Sequence, residues 1–192
     1  MKTSRLNLFV SVIALLFCIH GFIGTVSLPL TPRLSKGGQF QFLTNICSLL
    51  SCIVLTLDLF FPDYTPNLIC VVSNMEFVVT TAYWTLIIFF ANMLNTADFS
   101  VPLLLDLEIH LIPYLALLFA RKKSTLSFIQ ATRATFTVIC AYWSFIEYNA
   151  QVRGIRYPYP FLNDASQIHR IGWMFLFGSV ASSNYFIQKK LI

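Results

Sequence analysis

Hydrophobic positions along this chain gather into long runs separated by short polar connectors. Six runs can be drawn, at roughly residues 6–25, 40–61, 68–93, 99–120, 134–150 and 171–188. An α-helix needs ~20 predominantly apolar residues to cross a ~30 Å hydrocarbon core, and each run is near that length. The pattern predicts an all-α fold, a polytopic membrane helix bundle of six transmembrane helices with short loops. It forms a single integral membrane domain over residues 1–192. Lys2 and Arg5 precede the first run as they would in a signal peptide. That run is long, however, and no small-x-small cleavage pattern ends it before His20 and Phe22, so a retained first span is expected. Turn formers fill the connectors: Pro29, Pro32, Gly37 and Gly38, then Pro62 to Pro66, then Asn95-Thr96-Ala97-Asp98. The longest connector, 151–170, joins the fifth run to the sixth. Links this short make neighbouring helices antiparallel.

Composition sharpens this picture. Hydrophobic residues make up 57% of the chain and charged residues only 11%, against ~25% charged in a soluble domain. Too little polar surface remains for a water-facing globule, a long disordered tail or a nucleic-acid binder. The net charge of +5 records basic residues gathered at membrane surfaces. With six spans, one side holds Lys2, Arg5, Arg121, Lys122, Lys123, Arg133, Lys189 and Lys190. The other holds Arg33, Lys36, Arg153, Arg156 and Arg170. The bias places both termini in the cytosol. Lys189-Lys190-Leu191-Ile192 also matches a cytosolic dilysine retrieval signal, which favours the endoplasmic reticulum over the plasma membrane. The five cysteines show no CxxC spacing and read as small buried apolar residues.

Acids, unlike bases, fall inside the apolar runs: Asp58, Glu76, Asp106, Glu108 and Glu147. An ionisable group in hydrocarbon costs ~2.5–3.5 kcal/mol on insertion scales, so such groups face other helices or a wet cavity. In the fourth run Asp106 and His110 are four apart and share a helical face, while Glu108 projects away, towards either the loop between the third and fourth runs or a different helix. His110 is the only histidine deep in an expected span; His20 and His169 lie near span ends. Haem and histidine-rich metal sites need several converging ligands, so neither a metal nor a cofactor is expected. A buried imidazole is either a hydrogen-bonding group between helices or a general base.

In the second run Thr44, Ser48, Ser51 and Asp58 share a face. Ser48 and Ser51 suit helix packing. Thr44 lies near the end that shares a membrane side with the start of the fourth run. If that helix begins near Leu103, the Thr44 hydroxyl and His110 lie at matching depth and can form a nucleophile–base pair. Glu76, Asp106 and Glu147 would instead serve a small proton- or ion-coupled transporter, although no run shows the Gly/Pro interruption of a midplane ion site. A third alternative is a non-catalytic scaffold whose polar residues only join helices.

Three blocks carry a family likeness. They are Gly37-Gly38-Gln39-Phe40-Gln41-Phe42-Leu43-Thr44, the Asp106-x-x-x-His110 element followed by Pro113, and Gly154-Ile155-Arg156-Tyr157-Pro158-Tyr159-Pro160-Phe161-Leu162. The sequence resembles the androgen-induced and androgen-dependent (TFPI-regulating) membrane proteins, six-span threonine hydrolases. The resemblance implies that Thr44 is the nucleophile and His110 its partner, with hydrolysis of fatty acid esters of hydroxy fatty acids inside the membrane. The expected partners are then a lipid ester substrate and membrane lipids. Asp106 stands where animal members tend to have Asn, Glu147 falls where a histidine is usual, and the loop tryptophan is absent. Asp106 would orient the imidazole; Asn45 and Trp143 are open candidates for the oxyanion donor.

Overall fold

The computed structural model describes residues 5–90 and 101–191, and all regular structure among them is helical. Lys2, the connector 95–98 and Phe99 lie outside the described residues. In chain order the elements are α1 (Arg5–Ser27), α2 (Pro32–Ser35), a 3-10 turn (Gln39–Gln41), α3 (Leu43–Phe60) and α4 (Pro66–Phe89). They continue with α5 (Leu103–His110), α6 (Ile112–Ala120), α7 (Phe128–Gln151), α8 (Pro160–Asn163) and α9 (Gln167–Lys190).

Local chemistry sets the ends. Pro66 starts α4, where a missing N–H costs nothing. α7 begins at Phe128, well before the fifth apolar run, because Ser127 and Gln130 form a reciprocal capping box. Ser166 caps α9 by accepting from the His169 N–H. Pro113 lacks the N–H that Ile109 would receive, and it breaks the fourth run. α5 stops at His110, Leu111 leaves helical geometry at φ −137°, and α6 departs with a 41° bend. The expectation that no run is interrupted is corrected here: the break lies directly after the key histidine.

α1, α3 and α4 each contain a stretch long and apolar enough to cross a membrane: Leu8–Ser27, Leu43–Phe60 and Pro66–Phe89. The bent α5–α6 pair makes a fourth if it is one span. α7 and α9 have the length, at 24 residues each. Residues such as Arg133, Glu147, Arg170 and Gln188 leave them less apolar than α1, α3 and α4.

α4 is the central rod, packing against α3, α6, α7 and α9, while α1 lies against α3, α5 and α6. One core joins α3, α4, α7 and α9 around Cys47, Met75, Val78, Ile139 and Trp143. A second joins α1, α3, α4 and α6 around Cys18, Val54, Ile69 and Leu117. Gly21 permits the α1–α5 contact, since a Cβ there would stand 2.8 Å from the Glu108 Cβ. Phe9, Leu16, Ile23, Phe175 and Phe186 point outward, as a lipid-facing surface requires. Cys140 is exposed, unlike the other four cysteines, so its expected burial is corrected.

Polar groups stitch the rods. The Asn184 side chain accepts from the Tyr114 hydroxyl at 2.8 Å and donates to Ser73 and Asn74. Ser51 donates to the buried Glu76 at 2.6 Å. Glu147 binds Arg170 at 2.7 Å and accepts from the Tyr157 hydroxyl. Glu108 does meet a different helix, bonding His20 of α1 at 2.6 Å. His20 lies about two turns before the Ser27 end of α1, and its side chain is mostly exposed.

Candidate functional site

The chain reaches α3 through a strap built from side-chain anchors. Gly38 has φ +69° and extended ψ, a conformation that favours glycine, and it opens the 3-10 turn. The buried Gln41 side-chain amide donates to the carbonyls of Leu34 and Gly38, and the backbone carbonyl of Gln41 accepts from the Tyr142 hydroxyl. The Leu43 N–H, unsatisfied within its helix, donates to the Tyr159 hydroxyl at 3.1 Å. Burial pushes the Tyr159 phenol up to about 12, so it remains a neutral partner at physiological pH. Asn45 donates to the Gln39 carbonyl and side chain and accepts from Thr25. Thr44 is thus held in the first turn of α3. Its hydroxyl has no hydrogen-bond partner among the described residues, nor do the backbone N–H groups of Thr44 and Asn45.

His110 comes from the last turn of α5 and is buried. Its Nδ1 lies 2.9 Å from Asp106 Oδ1, which also accepts from the Tyr83 hydroxyl at 2.6 Å. A carboxylate only accepts, so Nδ1 carries the proton and Nε2 keeps its lone pair. The Tyr83 ring lies flat on the imidazole, with centroids 3.4 Å apart and planes within 5°. One tyrosine of α4 therefore fixes both members of the α5 pair.

Thr44 and His110 line the same cavity, of about 150 Å³. Gln39, Phe42, Asn45, Tyr83 and the Pro158-Tyr159-Pro160 segment complete much of its wall. Asp106 stands behind the imidazole and does not line it. Each of the three sequence blocks thus contributes to one chamber. α5 begins at Leu103, the start that matching depths required.

Two expectations about donors resolve differently. The Asn45 side-chain amide is committed to Gln39. Trp143 Nε1 is buried without a partner among the described residues, and Trp143 lines an adjoining cavity of about 60 Å³ together with Thr44 and Tyr83. Sequence reasoning missed Tyr83, which sits in an unbroken apolar run. Its signal is depth: Tyr83 lies roughly two turns before the end of α4, and His110 roughly two turns after the start of α5. Tyr157 and Tyr159 were visible within the third block, but their contacts were not. Burial, together with the hydrogen bond to Glu147, raises the Tyr157 phenol above its ordinary value.

An all-helical membrane protein with a part-apolar chamber between α3, α4 and α5, holding a hydroxyl and an oriented imidazole, is the class these features define. A model of the FAR-17a/AIG1-like protein family matches residues 5–192, and the chain belongs to that family. The UPF0641 membrane protein YHR140W of Saccharomyces cerevisiae is similar, at 28% identity over 191 aligned positions. That alignment covers 83% of this chain and 80% of the yeast protein. No solved structure matches.

Proposed function

We propose that this protein is an intramembrane ester hydrolase with Thr44 as nucleophile, His110 as base and Asp106 as its orienting acid. The supporting observation is the shared chamber, in which an unpartnered Thr44 hydroxyl and an imidazole with a free Nε2 line one wall set. The substrate class implied by the family likeness is fatty acid esters of hydroxy fatty acids, amphiphiles suited to a part-apolar cavity. α7 and α9 complete a six-span bundle in this reading. Both termini face the cytosol, and Lys189-Lys190-Leu191-Ile192 retrieves the protein to the endoplasmic reticulum.

The chemistry follows the general logic of a base-activated hydroxyl. His110 Nε2 takes the Thr44 proton as Oγ1 bonds to the ester carbonyl carbon and the π electrons move onto oxygen. Collapse expels the hydroxy fatty acid oxygen, which takes the proton from the imidazolium and leaves an acyl-threonine. Water then gives a proton to Nε2 and adds to the acyl carbon. Collapse returns the proton to Oγ1 and frees the fatty acid. Asp106 stabilises the imidazolium in both steps, and the face of Tyr83 adds cation–π attraction. The unpartnered N–H groups of Thr44 and Asn45 point from the positive end of α3 and serve the oxyanion.

Turnover of a long-chain ester by purified protein in vesicles tests this. Thr44→Ala and His110→Ala each reduce turnover by about a thousandfold or more, with the fold retained. Full activity in Thr44→Ala overturns the proposal.

A further inference from the structure

A third cavity, of about 460 Å³, lies between α4 and α9. Its size falls within the ~300–1,000 Å³ of ligand sites. Its wall includes Val78, Ala82, Leu86, Phe161 and Phe177, all of which also line the small cavity beside Trp143. That small cavity in turn shares Thr44, Tyr83 and Tyr159 with the main chamber. Thr44 therefore stands where the main chamber meets the small apolar cavity. The hydroxyl of Thr81, on the α4 wall, is turned back to the Phe77 carbonyl at 2.7 Å, which leaves its methyl for the cavity. From Val78 to Phe90 the wall runs ~18 Å along α4, somewhat more than half of the ~30 Å hydrocarbon core.

We infer that the groove between α4 and α9 is the subsite for the fatty acyl arm of the ester, with Ala82 at its throat. The hydroxy-acid arm occupies the main chamber. This rests on the hydrolase reading for its carbonyl position. Three observations favour an acyl chain as the occupant: adjacency to the small cavity that Thr44 lines, an apolar wall, and a length that matches one membrane leaflet. The polar groups beside Thr44, namely Gln39, Asn45 and His110, are confined to the main chamber, where the polar end of the substrate belongs. Val78, Ala82 and Leu86 recur at four-residue spacing and form one stripe of α4. Tyr83 is next in sequence to Ala82, so the same helix fixes the imidazole and shapes the channel.

The test uses wild-type protein and Thr44→Ala in phosphatidylcholine vesicles. The probe is an ester whose long acyl chain ends in a diazirine; a diazirine alkane of equal length reports bulk lipid contact. After photolysis, peptide mapping is expected to find the ester on Phe177 or Val180 in both proteins. The alkane labels those residues at least about tenfold less. Ala82→Phe fills the throat and lowers the ester adduct by about tenfold, the loss of a few buried methylenes. Val180→Trp, on the α9 wall of the groove, does the same should Ala82→Phe fail to fold. Adducts confined to Leu28, Leu30 or Ile87 of the main chamber overturn the inference, and so does equal labelling by ester and alkane. The two proposals fail separately. Groove adducts with undiminished turnover in Thr44→Ala sink the hydrolase alone, and lost turnover without groove adducts sinks the groove alone.

Discussion

Replacing Tyr83 separates two contributions that the structure assigns to one side chain. Its hydroxyl donates to Asp106 at 2.6 Å, and its ring lies 3.4 Å from the His110 ring. Tyr83→Phe keeps the ring and deletes the hydroxyl. A hydrogen bond to a charged acceptor contributes ~1.5–3 kcal/mol, and Tyr83 is only partly buried, so the lower end applies. That is about a tenfold loss of turnover. Tyr83→Leu also removes the stack. Ring contact contributes ~0.5–1.5 kcal/mol, and attraction to the imidazolium formed during reaction adds ~0.5–2 kcal/mol. The combined loss is then about a hundredfold or more. The assay is steady-state hydrolysis of a long-chain ester in vesicles, with thermal unfolding as a check on fold. The expected order is wild type, then Tyr83→Phe, then Tyr83→Leu, with His110→Ala lowest. Leu as active as wild type beside an inactive His110→Ala would refute the assigned role. Phe as damaging as Leu would show that the stack contributes nothing.

Three further outcomes follow from packing. Gly21→Ala sets a Cβ 2.8 Å from the Glu108 Cβ and 2.9 Å from its carbonyl oxygen. It should lower stability by ~1–3 kcal/mol, read as a reduced unfolding midpoint in detergent. Glu147→Gln leaves the buried Arg170 guanidinium without its ion pair. The expected loss is about 2 kcal/mol, below the ~3–5 kcal/mol for a fully buried pair because Glu147 is partly exposed. Adding Arg170→Met restores the midpoint if that unpaired charge is the cause. Tyr159→Phe takes the acceptor from the Leu43 N–H, costing ~1 kcal/mol. Amide exchange at Leu43 and Thr44 should quicken, while exchange deep in α9 stays unchanged.

The long helices and the Asp106–His110 pair were legible because both depend on local periodicity. Apolar runs mark the rods, and four-residue spacing brings a carboxylate onto an imidazole without tertiary information. Thr44 was legible as the end of the glycine-rich lead-in to α3. Tyr83 was not, because its value depends on how α4 is rotated against α5, which no spacing within α4 reveals. His20 illustrates the same limit: it became a partner of Glu108 only because Gly21 lets α1 approach α5 closely. The bend at Leu111 was readable in part. Pro113 was noted, but its effect on the carbonyl four residues earlier was not carried through to a break. The apolar runs also overstated the evenness of the long helices, since α7 and α9 owe their length partly to caps, and α9 buries Arg170 and Gln188 against its neighbours.

The central claim is that the Thr44 hydroxyl is made reactive by His110 inside the chamber. Labelling purified protein with a lipid-like fluorophosphonate and sequencing the modified peptide tests it most directly. The account predicts a single adduct on Thr44 Oγ1 that vanishes in His110→Ala, while Glu76→Gln labels normally. An adduct on another residue, or labelling of Thr44 that persists without the imidazole, would contradict it.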